Sequence, residues 1–94
     1  MFDNKRYLTR GIDSEIPLEL QLFLWSCIDR LPPERDYLQV FALKPIGVMQ
    51  GITHRSEQPE YRMKYLIPSD KPITAKVYVI DSIDYSTMLL AEEY

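Results

Sequence analysis

The chain of 94 residues is short of the residue types on which many kinds of site depend. Cys27 is its only cysteine, so the chain can form no internal disulfide and no zinc site built on paired cysteines. His54 is its only histidine, and its three glycines are too scattered to make a phosphate-binding loop. We therefore expect no metal, no cofactor and no catalytic residue of a familiar type.

An excess of positive charge is also lacking. Eleven Lys and Arg stand against 14 Asp and Glu, mixed along the sequence, for a formal net charge of −3. Because affinity for nucleic acid rests on Lys and Arg that neutralise phosphates, we expect no direct nucleic-acid binding. No apolar run approaches the roughly 20 residues of a membrane span, and the first ten residues do not resemble a signal peptide. The expected setting is the cytoplasm, with no membrane partner.

What is present is a chain of ordinary globular composition, 46% hydrophobic and 27% charged, of a length typical of one domain. The pattern of residues 16–31 predicts a helix that follows Ser14 as its N-cap and ends at Pro32. Its apolar stripe follows helical spacing and comprises Leu20, Leu24, Cys27, Ile28 and Leu31. This stripe is expected to face the core, where Cys27 would be inert packing.

The rest of the chain favours strands, which we predict at residues 7–10, 37–43, 48–53, 61–67, 74–80 and 85–91. Short connections indicate antiparallel pairing, because parallel crossovers need a dozen or more residues. The last segment also has good helix formers, so a C-terminal helix is its alternative. The predicted fold is a single α+β domain over residues 1–94. One N-terminal amphipathic helix packs on a mostly antiparallel sheet of five to six strands, in the order β-α-β-β-β-β-β.

Residues near the only histidine form the first candidate binding site. His54 titrates near neutral pH and opens a polar stretch at the end of a predicted strand. Thr53, His54, Arg55 and Tyr61 are therefore interpreted as the lining of a small polar recognition site. The alternative is a loop histidine that simply hydrogen-bonds to the backbone.

A second apolar stripe on the predicted helix forms the other candidate. It consists of Leu18, Leu22 and Trp25. These side chains either cover the margin of the core or leave a partly exposed patch for a partner or second subunit. The sequence leaves both interpretations open, and with them the oligomeric state.

Several segments together resemble the domain of unknown function 960 family of small Gram-positive bacterial proteins. They are residues 6–11, 17–21, 36–41, 52–54, 59–61 and 85–94. The resemblance spans essentially the whole chain and implies an intracellular protein, often carried in chromosomes or mobile elements. It implies no activity, so no functional residue is carried over.

The favoured hypothesis is a non-enzymatic interaction module with a protein partner. The alternative is a small-molecule-binding protein or minor enzyme with a pocket near Thr53, His54 and Arg55. A third hypothesis, an accessory to DNA metabolism that intercepts a DNA-binding enzyme, follows only from the mobile-element association of the family.

Overall fold

The computed structural model describes residues 2–94. Its elements follow in the order β1 (Lys5–Leu8), α1 (Arg10–Glu15), α2 (Leu18–Asp29), β2 (Leu38–Ile46), β3 (Met49–Glu57), β4 (Glu60–Pro68), β5 (Ala75–Asp81), β6 (Tyr85–Leu90) and a final 3-10 turn (Ala91–Glu93). The predicted α+β class and the final strand are confirmed. Within this part of the chain, no helix has both the length and the apolar character needed to cross a bilayer.

The predicted helix over residues 16–31 is observed as α2, which ends two residues earlier than predicted, and a short additional helix, α1, precedes it. Thr9 caps α1 by accepting a hydrogen bond from the Ile12 amide. The prediction of Ser14 as N-cap is wrong, because Ser14 lies inside α1 and the N-cap of α2 is Pro17, which makes no side-chain capping bond. Pro17 separates α1 from α2 because its ring fixes an extended backbone there (φ −55°, ψ 145°). As a result α2 begins two residues later than predicted. Separately, β1 begins and ends two residues before the strand predicted at residues 7–10.

The sheet has six strands in the spatial order β1-β6-β5-β2-β3-β4. All neighbours are antiparallel except β1 and β6, which run parallel. The connection from β4 to β5 crosses from the edge of the sheet to the far side of β2. The buried amide of Gln50 fixes this connection, since it accepts from the Ile73 N–H (2.8 Å) and donates to the Ile73 carbonyl (3.0 Å).

Side chains alternate between the two faces of every strand, and the register is unbroken in each pair. We call the face that packs against the helices the inner face. Its buried residues join the predicted helix stripe in one core, which includes Leu20, Leu24, Cys27, Ile28, Phe41, Ile52, Val77, Val79 and Met88. The opposite, outer face has no helix over it in the described chain.

Candidate functional site

The residues around His54 divide between the two faces of the sheet. Strand β3 continues to Glu57, so the predicted end at residue 53 is wrong, and His54 lies inside a strand rather than at the start of a loop. His54 and Tyr61 point to the inner face, with their rings 5.0 Å apart. Thr53 and Arg55, which flank His54, alternate to the outer face. The structure therefore brings these four residues together as two separate pairs.

The imidazole of His54 is completely buried and has one hydrogen-bond partner. Its Nε2 lies 2.7 Å from Oε1 of Gln39, whose own Nε2 donates to the Asp36 carbonyl. That second bond orients the Gln39 amide, so we assign the proton to Nε2 of His54. Nδ1 has no partner among the described residues and the ring stacks on Phe41 at 4.2 Å. Burial lowers the pKa of His54 to about 4, so the ring is neutral at pH 7.

The cysteine is equally enclosed. Cys27 has no exposed surface, and burial raises the pKa of its thiol above the ordinary value. A protonated, inaccessible thiol is a poor nucleophile. Among residues 2–94, no group of three or more His, Cys, Asp or Glu side chains is placed to hold a metal ion.

The second apolar stripe on α2 is exposed at two of its three positions. Leu18 and Leu22 leave 66% and 59% of their surface in solvent. Trp25 is half-buried and packs against the core, where the Arg6 guanidinium lies 4.7 Å from its ring centroid. Arg6 also forms an ion pair with Asp29, which holds it across the ring. Trp25 thus has partners within the chain, whereas the two leucines face outward.

Sequence reasoning missed a cluster of cations on the outer face. Five of the eleven basic residues point outward from four adjacent strands, and we call this surface the basic face. It comprises Lys44 of β2, Arg55 of β3, Arg62 and Lys64 of β4, and Lys76 of β5. Of the 14 acidic residues, the strands place only Glu57 and Glu60 on this side, both at the end of the β3–β4 hairpin.

The register places the cations of the basic face in adjacent rows. Arg55 lies directly opposite Arg62 across the β3–β4 ladder. Two strand positions along, in the next row on the same face, Lys76 and Lys64 lie at the ends of a row that runs through the small residues Ala42 and Thr53. Like charges directly opposite on a sheet are destabilising. Within the described residues, no carboxylate comes within ion-pair distance of any of the five.

Small residues make the middle of the basic face concave. A groove of about 560 Å³ is lined by Lys44, Ile46, Gly51, Ile52, Thr53, Arg62, Lys64, Tyr65 and Leu66. A side chain at Gly51 would meet Ile46, because an added Cβ would lie 2.5 Å from its Cγ1. Gly51 therefore lets Ile46 form one end of the groove. Long cations at the rim and short side chains at the floor are suited to an anionic occupant.

Comparison with known families matches residues 5–93 to the family described as "Staphylococcal protein of unknown function (DUF960)". The chain belongs to this family. A solved structure, "Crystal structure of the protein of unknown function from Enterococcus faecalis", has a similar fold, with a TM-score of 0.85. It is 22% identical, and the alignment covers 98% of this chain and 92% of that one. No curated protein gives a significant match.

The family assignment confirms the resemblance drawn from the sequence and brings no activity with it. At 22% identity the Enterococcus faecalis structure shows the shared fold alone. The sequence signal for the basic face is limited to Arg62 and Lys64, which stand two residues apart in a predicted strand and therefore share a face. Placing the other cations beside them is a further step. That step needs the strand order and register, which the sequence does not supply.

Proposed function

We propose that this member of the DUF960 family is a non-enzymatic module that binds an acidic protein partner on its basic face. The observation that carries the proposal is the direct pairing of Arg55 with Arg62, with Lys64 and Lys76 in the row on one side of it. The row on the other side holds Glu57 opposite Glu60, and neither carboxylate forms an ion pair with these arginines in the described residues. A cross-strand pair of like charges costs stability. Five cations share this face with only these two carboxylates, so most of the neutralising charge is left to a partner.

The inventory of reactive groups supports binding rather than catalysis. His54 is buried and neutral, and Cys27 is buried and protonated. Neither side chain is accessible to a substrate in solution, so the groups most often used in acid–base and nucleophilic chemistry are engaged in the core. The cations of the basic face favour electrostatic recognition of a partner.

Affinity capture from the host, read by mass spectrometry, tests this proposal with a matched pair of variants. Arg55→Gln/Lys76→Gln removes two charges from the basic face. Arg10→Gln/Lys71→Gln removes two charges from exposed positions elsewhere. We expect an acidic protein that is captured by the wild type and the control but lost by the basic-face variant.

Two other results would overturn the proposal. A partner retained by the basic-face variant but lost in Leu18→Ser/Leu22→Ser would place the interaction on α2 instead. Loss of the captured protein after nuclease treatment would show that nucleic acid, rather than protein, occupies the basic face.

The groove favours a second candidate function, binding of a small anionic metabolite. Its volume of about 560 Å³ lies in the range of ligand pockets, and Lys44, Arg62 and Lys64 line it. A ligand present at 100 times its dissociation constant stabilises a protein by roughly 2.7 kcal/mol. A thermal-shift screen with nucleotides and sugar phosphates checks this candidate, and Thr53→Val at the groove floor should reduce a genuine shift.

A further inference from the structure

The edge strand β4 borders the basic face and has a free side. It pairs with β3 over nine consecutive positions, from Glu60 to Pro68, and no described strand lies beyond it. Its register with β3 has no bulge, and Pro68 at its very end is its only proline. An exposed edge of this length presents unpaired N–H and C=O groups to an incoming strand.

The side chains of β4 specify what such a strand would carry. On the outer face, Arg62 and Lys64 stand two residues apart, so their neighbours on an added strand would also be two residues apart. On the inner face, the alternating positions are apolar or aromatic, and Met63 is 44% exposed at the margin of the core. The matching segment alternates acidic residues with apolar ones.

A second copy of this chain is a poor occupant of that edge. Antiparallel pairing of two β4 strands over their full length would place Lys64 of one copy opposite Lys64 of the other. That arrangement adds a like-charged pair to a surface that already has Arg55 opposite Arg62. Acidic residues at the same positions would instead neutralise these cations.

We infer that the partner contributes an extended segment of alternating acidic and apolar residues, which adds to the sheet as a seventh strand beside β4. This inference rests on the proposed function, since it names how an acidic protein engages the basic face. Main-chain hydrogen bonds along β4 hold the segment, while Arg62 and Lys64 select its acidic positions.

Backbone-modified peptides separate strand addition from simple charge attraction. The probe is a fluorescent nine-residue peptide of alternating valine and glutamate, titrated with the intact protein. In a strand, alternate N–H groups point to opposite sides, so N-methylation of either the valines or the glutamates blocks one side only. We expect one of the two methylated series to bind at least tenfold more weakly and the other to bind like the parent.

Charge variants complete the design. Arg62→Gln/Lys64→Gln should weaken binding of the parent peptide at least tenfold, whereas Arg10→Gln/Lys71→Gln should leave it within about twofold. Equal binding of the two methylated series would overturn strand addition while leaving an acidic partner on the basic face intact. Absence of saturable peptide binding at millimolar concentration, or tighter binding of a single-stranded oligothymidylate, would also overturn the inference.

Discussion

Acidification tests the buried position of His54 quantitatively. The pKa of this side chain is about 4 in the folded protein against an ordinary value of 6.5, because burial disfavours its charged form. Between these two values the unfolded chain binds a proton that the folded protein does not. The free energy of unfolding therefore falls as the pH drops from 6.5 to 4. The stability contributed by neutral His54 is fully present above pH 6.5.

The size of the loss follows from the two pKa values. At 1.36 kcal/mol for each pKa unit, His54 removes about 2 kcal/mol at pH 5 and about 3 kcal/mol at pH 4 relative to pH 7. This is a large part of the stability of a small domain. No neighbouring carboxylate offsets it, since burial is the one cause of the lowered pKa and Nδ1 has no partner among the described residues.

Urea unfolding followed by Trp25 fluorescence at pH 7, 5 and 4 measures this loss. The reference is the variant Gln39→Leu/His54→Leu, in which both side chains of the buried pair become apolar. The Asp36 carbonyl loses its Gln39 donor in this variant at every pH, so that loss does not affect the pH dependence. The carboxylates titrate alike in both proteins, so their contribution cancels in the comparison. The wild type should lose about 3 kcal/mol more than the variant by pH 4. Equal losses would refute the burial of a neutral His54.

Three further predictions concern stability, each measured by urea unfolding at pH 7. Ile83 has φ 78° with 87% of its surface exposed. Because Asn tolerates that backbone region, Ile83→Asn should raise the free energy of unfolding by about 1 kcal/mol. A decrease in the free energy of unfolding would contradict this. Gly47 lies in the turn of the β2–β3 hairpin at φ 63°, so Gly47→Ala should lower the free energy of unfolding by about 1 kcal/mol. An unchanged free energy of unfolding would contradict this. Leu24→Ala should lower the free energy of unfolding by about 2–5 kcal/mol, because the side chain is fully buried. Leu22→Ala on the same helix should change it by no more than about 0.5 kcal/mol, because Leu22 is exposed. Similar losses in the two variants would show that the described packing of α2 is wrong.

Local patterns predicted most of the elements of this fold. The spacing of Leu20, Leu24, Cys27 and Ile28 identified the buried side of α2, because a helical period of 3.6 residues places them on one side. Gly47 located the β2–β3 turn, whereas the predicted end of the strand at residue 43 is wrong, because β2 runs through Pro45 to Ile46. Such features depend only on neighbouring residues, so a single sequence is enough to find them.

Non-local pairing was beyond this reasoning. The parallel contact of β1 with β6 joins segments about 80 residues apart, and nothing in residues 5–8 specifies it. His54 was misplaced for a related reason. Its polar neighbourhood resembled a loop, but Gln39 from another strand supplies the hydrogen bond that makes its burial tolerable.

The same limit applied to the candidate site. The cations of the basic face are spread over residues 44–76 and are mixed with acidic residues along the chain. Strand alternation and register gather five cations on the outer face, with only Glu57 and Glu60 as carboxylates from the strands. A net charge of −3 therefore conceals a local positive surface, which the mixing of charges along the sequence did not reveal.

Charge reversal at Arg62 tests the central claim most directly, that the basic face serves binding rather than folding. Arg62→Glu turns the like-charged pair with Arg55 into an opposite-charged one, which should raise the free energy of unfolding by about 0.5 kcal/mol. The decisive measurement is affinity capture of the acidic partner by this folded variant. Our account predicts that the partner is lost although the protein is at least as stable as the wild type. Full retention of the partner by the variant would contradict it.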